Sequence, residues 1–397
     1  MPWKESSPVS ERLRFVQACL DRRVKIVEIC QQFGISQKTG YKVLARFKKF
    51  GVAGLAERSS ARVQQAHRID ATTAARIIAL RRRHPLYGAA MLRNCLLEHD
   101  PGHTWPAAST IGDLLKREGL IGSRRRRSGK HAHFESGRTE ASAPNVVWTA
   151  DFKGHSRLGS GTYCYPLTVL DLHSHFLLRC TALETTAVEP SRRIFERLFR
   201  EYGLPDVLRT DNGVPFAQPN AIGRLGALAF WWIRLGIRPE HTRPATPSDN
   251  GAHERFHRTL KAHTMRPCAG SFGAQQRRFD RFAVEYNTER PHTSVPGHHP
   301  PGHIYRPSPR SYPTKLTPLM YAEADAVRHV DSSGVIKWQN QPIFLSTNLA
   351  GSDVGLSTGA QDQVTITYAH LILGEYDSHT KRFTPNVRWS SNKTPRP

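Results

Sequence analysis

The sequence predicts a multidomain chain in which helical modules come first, an α/β core with a mixed sheet follows, and a small β-barrel comes last. Three observations support this division. The 397 residues exceed what one compact core usually holds. Apolar residues recur at helical spacing up to about residue 122 and in strand-like runs from Asn145 onward. Short β-rich segments separated by turn residues return after Pro307.

The charge of the chain indicates its class of partner. There are 57 Lys and Arg residues against 33 Asp and Glu residues, which gives a net charge of +24. So large an excess favours a polyanion, and we expect double-stranded DNA rather than an anionic membrane surface. No apolar run is long enough for a membrane span, and the N-terminus lacks the apolar stretch of a signal peptide. Six scattered cysteines without a Cys-x-x-Cys pair argue against disulfides and a cysteine zinc site, so a reducing cytosol is expected.

The first predicted domain, residues 1–60, has the pattern of a helix-turn-helix. Two helical stretches come before a turn at Gly34, and Ser36 is placed to cap a third helix that runs from residue 37 to 50. We expect Tyr41, Leu44 and Phe47 to point inward from that helix. A plain helical hairpin with a charged outer face is the alternative.

The third helix supplies the predicted recognition residues. Gln37 and Lys38 open the helix, where side chains reach base edges in the major groove, and Lys42 lies one turn further on, where it can touch phosphate. Gly40 lies inside the same helix and is expected to cost about 1 kcal/mol relative to alanine.

Residues 61–122 form a second predicted helical module, winged-helix-like and DNA-binding. Its helices are expected at residues 74–83, 88–98 and 109–119, the last capped by Ser109. Residues 123–144 then form a basic linker that we expect to follow a phosphate backbone through Arg124, Arg125, Arg126 and Arg127. A solvated hinge without DNA contacts is the alternative for this stretch.

The predicted core, residues 145–305, alternates strands and helices. We expect strands at residues 146–152, 163–170, 175–183, 206–211 and 237–241, with helices at 187–202 and 221–235 and a last helix that contains Glu254.

Three carboxylates of this core form the predicted catalytic centre. Asp151 and Asp211 come at the ends of strands that can lie side by side, and Glu254 lies on the last helix. Three converging carboxylates repel one another unless a cation joins them, and hard oxygen ligands select Mg²⁺ or Mn²⁺. Two such ions can clamp the attacking and leaving oxygens of a phosphodiester displacement. The alternatives are a structural turn at Asp211 and a plain surface position for Glu254.

Arg258 and Lys261 follow Glu254 along one stripe of that helix, while Phe256 and Leu260 take the opposite, buried side. One acid followed by two bases suits a metal ligand beside DNA-phosphate contacts. An ordinary salt bridge between Glu254 and Arg258 is the alternative.

Four blocks resemble the integrase core of bacterial insertion-sequence DDE transposases, which is similar to the core of retroviral integrases. The blocks are Trp148-Thr149-Ala150-Asp151, Thr210-Asp211-Asn212-Gly213, Pro247-Ser248-Asp249-Asn250-Gly251-Ala252-His253-Glu254-Arg255-Phe256-His257-Arg258-Thr259-Leu260-Lys261 and Tyr286-Asn287-Thr288-Glu289-Arg290-Pro291-His292. The resemblance implies a ribonuclease-H-like core over residues 145–305, with Asp151, Asp211 and Glu254 as metal ligands. It also implies that Lys261 lies near DNA phosphate.

Two features depart from the family pattern. The interval between Asp211 and Glu254 is longer than in the best-known members, with the excess in residues 214–232. The His/Cys zinc module that precedes the core in retroviral integrases is absent, and helical modules stand in its place. The final region, residues 306–397, is expected to form a small β-barrel that helps hold DNA or acts as a structural cap.

These observations predict a transposase that requires Mg²⁺ or Mn²⁺ and binds two of these ions. It would bind the terminal repeats of its element as a homo-oligomer, hydrolyse the 3′ ends and join them to target DNA, in the bacterial cytoplasm with the nucleoid. A catalytically silent DNA-binding regulator of the same element is the alternative. A ribonuclease-H-type nuclease is a third hypothesis, which predicts cutting without joining.

Overall fold

A computed structural model describes residues 7–57, 69–121, 139–242, 251–359 and 362–390. The chain divides into two compact units, Met1–Asp70 and Ala71–Pro397. The predicted arginine run from Arg124 to Arg127 lies outside the described residues, and the domain boundaries expected within the second unit stay predictions.

The first unit is a three-helix arrangement of the helix-turn-helix type. Its helices are α1 (Pro8–Leu20), α2 (Ile26–Gln32) and α3 (Gln37–Phe50), followed by a 3₁₀ turn at Gly51–Leu55. The Ser36 hydroxyl accepts a hydrogen bond from the Thr39 amide at 3.2 Å, which confirms the predicted cap. The expectation for Tyr41 was wrong, because its side chain is 55% exposed and Val43 takes the inward position instead.

Gly40 brings α3 close to the helices beneath it. A Cβ atom at this position would lie 2.5 Å from Cys30 Sγ and 2.9 Å from Phe15 Cζ. Any larger residue would therefore push α3 away from the core of the unit. Glycine at this position was expected to be a weakness because of its low helix propensity. Its lack of a side chain is what allows this packing.

The second unit begins with three helices, α4 (Ala71–Arg83), α5 (Ala89–His99) and α6 (Ala108–Arg117). Helix α6 begins before Ser109 and has Ala107 at its N-cap, so Ser109 does not cap it. Residues 69–121, which the structure describes without a gap, contain no strand that could serve as a wing.

A six-stranded mixed sheet forms the centre of this unit. The strands are β1 (Val147–Phe152), β2 (Ser156–Arg157), β3 (Tyr163–Asp171), β4 (Leu177–Leu183), β5 (Val207–Thr210) and β6 (Arg238–His241). Strand β3 pairs antiparallel with β1, β2 and β4, whereas β1, β5 and β6 run parallel to one another. This order confirms the predicted ribonuclease-H-like core with a mixed sheet.

Helices cover both faces of the sheet. On one face, α7 (Val188–Tyr202) and α8 (Ala227–Arg234) share a core with Trp148 and Ala150 of β1. On the other face, α9 (Gly251–Thr264) and α10 (Phe272–Thr288) pack on Leu170 and Leu177. Because side chains alternate along a strand, Thr149 and Asp151 of β1 face the α9 side. No helix of the described residues is long and apolar enough to cross a membrane.

The C-terminal region is an open antiparallel sheet rather than the predicted barrel. The sheet has the order β13-β12-β11-β10-β7, and β8 and β9 form a separate hairpin. The strands are β7 (Ala326–His329), β8 (Val335–Trp338), β9 (Gln341–Phe344), β10 (Asp353–Thr358), β11 (Gln363–Tyr368), β12 (Leu371–Asp377) and β13 (Arg382–Trp389). Its buried side chains join the same apolar core as α7 and α8. A sheet that buries its apolar face against a neighbouring layer does not have to close on itself.

The long interval after Asp211 is the surface on which this sheet packs. The helix expected at 221–235 is divided into a 3₁₀ turn at Ile222–Arg224 and α8. The Tyr368 hydroxyl donates to the Phe230 carbonyl at 3.3 Å, and the Asn348 amide donates to the Leu225 carbonyl at 3.0 Å. The insertion therefore connects the core to the C-terminal sheet.

Candidate active site

Asp151 and Asp211 lie at the same edge of the central sheet. Strands β1 and β5 are parallel neighbours in which Ala150 pairs with Thr210, and each aspartate is the next residue of its chain. The carboxyl ends of adjacent parallel strands thus bring the two acids together from distant parts of the sequence. Both side chains are partly buried.

The carboxylate of Asp211 is held in a tight turn. Its Oδ1 accepts a hydrogen bond from the Gly213 amide at 3.1 Å, and a Cβ at Gly213 would lie only 3.1 Å from Oδ2. Asp211 therefore also forms the structural turn that was the alternative interpretation of this motif. Burial raises the pKa of Asp211, and the Gly213 hydrogen bond and the nearby His241 oppose that rise only in part. A buried carboxylate of this kind gains stability from a nearby cation.

Glu254, Arg258 and Lys261 are all exposed on α9, and Phe256 and Leu260 are buried on its other side, as expected. Among the residues that the structure describes, Glu254 and Arg258 form no ion pair with each other, so the salt-bridge alternative is not observed. The stripe is thus open to solvent and to a ligand.

Two buried histidines of α9, His253 and His257, were not singled out in the sequence. The Thr168 hydroxyl on β3 donates to the main-chain oxygen of Asp151 at 2.9 Å, and its oxygen lies 2.7 Å from His253 Nε2 and 2.8 Å from His257 Nε2. The Thr149 hydroxyl lies 3.0 Å from His253 Nδ1. The network fastens α9, and with it Glu254, to the strand that carries Asp151.

Burial keeps both imidazoles neutral. It lowers the pKa of His257 to about 3, helped by the positive charge of Lys153, and it lowers the pKa of His253 well below its usual value. His257 Nδ1 lies 3.9 Å from Asp151 Oδ2. One ligand atom from each of Asp151, His253 and His257 lies within 4.8 Å of the others. Glu254 precedes His257 by three residues, and residues three apart share one side of a helix.

A buried ion pair supports the strand that leads to Asp211. Arg209 and Glu240 are 3.0 Å apart on β5 and β6, with side chains only 8% and 13% exposed. Burial raises the pKa of Glu240, but hydrogen bonds from Thr139 and the charge of Arg209 outweigh it and leave the pKa below its usual value. The ion pair therefore holds β6 beside β5, next to the strand end that leads to Asp211.

The block from Tyr286 to His292 takes part in packing and in a separate cleft. The Asn287 side chain accepts from the Leu177 amide and donates to its carbonyl, each at 2.9 Å, which joins α10 to β4. Arg290 and His292 line a cleft of about 300 Å³ together with Arg255 of α9. Arg255 follows Glu254 directly and projects about 100° away around the helix, so the cleft lies beside the exposed stripe rather than within it.

A second group of possible metal ligands is exposed on the surface. Ligand atoms of Glu98, His299 and His303 lie within 4.8 Å of one another, and the two imidazole rings are stacked with centroids 4.7 Å apart. This group is a possible competitor for metal ions in binding experiments.

The predicted recognition residues of the first unit are all at the surface. Gln37, Lys38 and Lys42 are exposed on α3, whereas Gly40 and Val43 face its core. The helix therefore presents these three side chains to solvent, as a recognition helix requires.

Family profiles match the N-terminal helices and the central sheet. Residues 141–247 and 235–301 each match an integrase core domain, residues 11–62 match a helix-turn-helix domain, and residues 39–115 match a homeodomain-like domain. These matches cover the helical modules and the central sheet described above.

Among curated proteins, the chain is similar to two viral polyproteins. It is 30% identical over 128 residues to the Pol polyprotein of Feline endogenous virus ECE1, and this match covers 32% of the chain and 11% of the polyprotein. It is 30% identical over 125 residues to the Gag-Pol polyprotein of Baboon endogenous virus (strain M7), which covers 31% of the chain and 7% of the polyprotein. The chain therefore spans only about a tenth or less of these relatives.

Among solved structures, the similar ones include two viral structures, both with low TM-scores. The HTLV-2 integrase catalytic core domain in complex with magnesium has a TM-score of 0.33 and 13% identity, and the match covers 42% of this chain and 100% of that one. The simian T-cell lymphotropic virus intasome in complex with PP2A regulatory subunit B56 gamma has a TM-score of 0.36 and 16% identity, over 81% of this chain and 100% of that one. The strand order and the family profiles together identify an integrase core domain that follows N-terminal helix-turn-helix domains.

Proposed function

We propose that this protein is the transposase of a bacterial insertion sequence. It binds the terminal repeats of its element as a homo-oligomer, hydrolyses the phosphodiester bond at each 3′ end, and joins the freed 3′-hydroxyl to target DNA within the nucleoid. The observation that carries this proposal is the meeting of Asp151 and Asp211 at the ends of adjacent parallel strands, with Glu254 on a helix tied to the first of them. The integrase core matches support the same reaction class.

The carboxylate set fits a pair of divalent cations. Asp151, Asp211 and Glu254 offer hard oxygen donors of the kind that Mg²⁺ and Mn²⁺ prefer. Burial raises the pKa of Asp211 in spite of the nearby His241, so its ionised form gains from a bound cation. When bound, two such ions would stabilise the attacking and leaving oxygens of an in-line displacement.

The remaining residues position DNA for two consecutive displacements. In the first, the oxygen of a water molecule bonds to phosphorus and the 3′-oxygen of the element end leaves. In the second, that 3′-hydroxyl attacks a target phosphodiester and the target's 3′-oxygen leaves. Each displacement forms one P–O bond and breaks one, so no covalent enzyme intermediate is needed. Arg258 and Lys261, exposed beyond Glu254, would hold the phosphate backbone. Gln37, Lys38 and Lys42 would read and grip the element end.

The DNA that flanks the gene provides the decisive substrate. Purified protein is incubated with a labelled duplex that ends in the flanking inverted repeat, a target plasmid, and Mg²⁺ or Mn²⁺. We expect a nick at the 3′ end of the repeat, followed by a product in which this end is joined to the plasmid. A duplex with a scrambled repeat is the control.

The other hypotheses predict different products. Binding of the repeat without a nick in either metal would favour the silent regulator. Nicking without joined product would favour a simple nuclease. Either result would overturn the proposal.

A further inference from the structure

We propose that His257 is an additional metal ligand, with Nδ1 as its donor atom beside the carboxylate of Asp151. A nitrogen donor at this position makes the site bind Mn²⁺ more tightly than three carboxylates alone would. The inference rests on the proposed function, because it presumes that Asp151 holds a divalent ion.

The single proton of the Thr168 hydroxyl decides which nitrogen of His257 carries a hydrogen. This hydroxyl lies 2.9 Å from the main-chain oxygen of Asp151, and a carbonyl can only accept, so the Thr168 proton points there. The two imidazole nitrogens at 2.7 and 2.8 Å must then both donate to the Thr168 oxygen. His257 therefore carries a hydrogen on Nε2, which leaves Nδ1 as the nitrogen that can offer a lone pair to a metal ion.

That lone pair faces a carboxylate oxygen. His257 Nδ1 and Asp151 Oδ2 are 3.9 Å apart, which is too far for a hydrogen bond. With the hydrogen of His257 on Nε2, both atoms are acceptors, so neither can donate to the other. Metal bonds of about 2.0–2.2 Å place two ligand atoms of one ion roughly 3–4.3 Å apart, depending on the angle between them. The observed separation of 3.9 Å falls within this range.

His253 differs from His257 in this respect. Both of its nitrogens already have hydroxyl partners, Thr149 at 3.0 Å and Thr168 at 2.7 Å. His253 is therefore a positioning residue that holds the Thr168 hydroxyl in its orientation. Of the two buried histidines, only His257 offers a lone pair on the side of Asp151.

The identity of the donor has a consequence for metal preference. Imidazole nitrogen strengthens binding of first-row transition ions, whereas Mg²⁺ favours oxygen donors and retains water. Replacing His257 by asparagine exchanges the nitrogen for an amide of similar reach. We expect this change to weaken Mn²⁺ binding by about 10–100-fold and Mg²⁺ binding by much less.

The test is electron spin-echo envelope modulation of Mn²⁺ bound to the full-length protein. The exposed group of Glu98, His299 and His303 is first removed by Glu98→Gln with His303→Gln, so that it contributes no nitrogen signal. We expect a ¹⁴N coupling that changes to ¹⁵N when the protein is made with ¹⁵N-histidine, and that is absent in His257→Asn. Because ¹⁵N labels every histidine, the coupling is assigned to this site by its loss in Asp151→Asn. That comparison needs no change at His257, so it stays informative if His257→Asn does not fold.

Titration of Mn²⁺ into Asp151→Asn separates the two proposals. If Mn²⁺ binding requires Asp151 but shows no histidine coupling, the role of His257 is overturned and the proposed function stands. The same holds if His257→Asn weakens Mn²⁺ and Mg²⁺ equally, as a protonated His257 that only pairs with Asp151 would predict. If no binding depends on Asp151, the proposed function itself fails.

Discussion

Helices α9 and α3 both present charged side chains to solvent and both pack on an apolar core, but buried side-chain hydrogen bonds also anchor α9. Helix α9 is fixed by hydrogen bonds from His253 and His257 to Thr168, a hydroxyl that also bonds the main chain of Asp151. Helix α3 is fixed by apolar packing, with Gly40 against Cys30 and Phe15. Directional bonds specify position to a fraction of an ångström, whereas apolar packing specifies mainly distance. This difference agrees with the proposed roles, because a metal ligand must be placed more precisely than a side chain that contacts DNA.

The strongest test of this contrast is removal of the acids one at a time. Asp151→Asn, Asp211→Asn and Glu254→Gln should each reduce end cleavage by at least about 10³-fold, since the proposed mechanism needs all three carboxylates to hold the ions. Binding to the terminal repeat, measured by gel shift, should stay within about threefold, because recognition lies in the helical modules. Glu189→Gln on α7 is the control, and it should cleave normally. Parallel loss of binding and cleavage in all three variants would refute the separation of roles.

A second prediction concerns the buried pair that supports β5. Glu240→Gln leaves Arg209 buried without its counter-charge and should lower the free energy of unfolding by about 3 kcal/mol. Glu189→Gln removes an exposed pair with Arg193, both side chains more than half exposed, and should cost less than about 1 kcal/mol. Chemical denaturation of both variants checks this, and equal losses would mean that burial of the pair has no energetic effect.

The same pair has a pH dependence of known sign. Because the folded pKa of Glu240 is depressed, its stabilisation is fully present above its unfolded value of about 4.3 and is lost as pH falls through the folded value. The Glu240→Gln variant should therefore lose less stability on acidification than the unmodified chain.

The third prediction compares two glycines inside helices. Gly40→Ala should destabilise the first unit by about 1–3 kcal/mol, because the new methyl group meets Cys30 and Phe15. Gly112→Ala on α6 meets only Ala89 Cβ, at 3.8 Å, and should stabilise by about 0.5–1 kcal/mol through helix propensity. Thermal unfolding gives the sign of each change. Stabilisation by both would show that α3 packs less closely than described.

The last prediction concerns DNA binding by the exposed face of α3. Gln37→Ala and Lys38→Ala should each weaken binding to the terminal repeat by about 1–3 kcal/mol and change binding to scrambled DNA little. Lys42→Ala should weaken binding to both duplexes about equally, because a phosphate contact carries no sequence information. All measurements use one salt concentration. If Gln37→Ala and Lys38→Ala also lose equally on both duplexes, α3 does not read bases.

The acids were predictable from sequence because each one follows a recognisable strand or lies on an amphipathic helix. Ends of parallel strands meet at one edge, so Asp151 and Asp211 could be paired without a structure. The histidines were not predictable, because their partner Thr168 lies on a strand more than 80 residues earlier in the chain. A pair of histidines four residues apart, flanking Glu254, was the available signal.

Two of the errors have separate physical causes. Tyr41 was assigned inward from spacing alone, but the small Gly40 rotates the contact surface of α3 toward Val43. The barrel was expected from short strands and turns, but the region is open because the core buries its apolar face. In the first case a residue of the same helix decided the outcome, and in the second case the neighbouring core layer did.

The packing of the segment after Asp211 against the C-terminal sheet has a consequence for gene fusion and recombination. A Cβ at Gly223 would lie 2.9 Å from Val387, and the rings of Phe230 and Tyr368 meet edge to face at 5.5 Å. Each surface is shaped by the other, although more than 130 residues separate them in the chain. A gene fusion or recombination event with a breakpoint near Pro307 would separate two complementary surfaces. Such a hybrid would expose apolar side chains on both surfaces unless the segment after Asp211 and the C-terminal region came from the same parent protein.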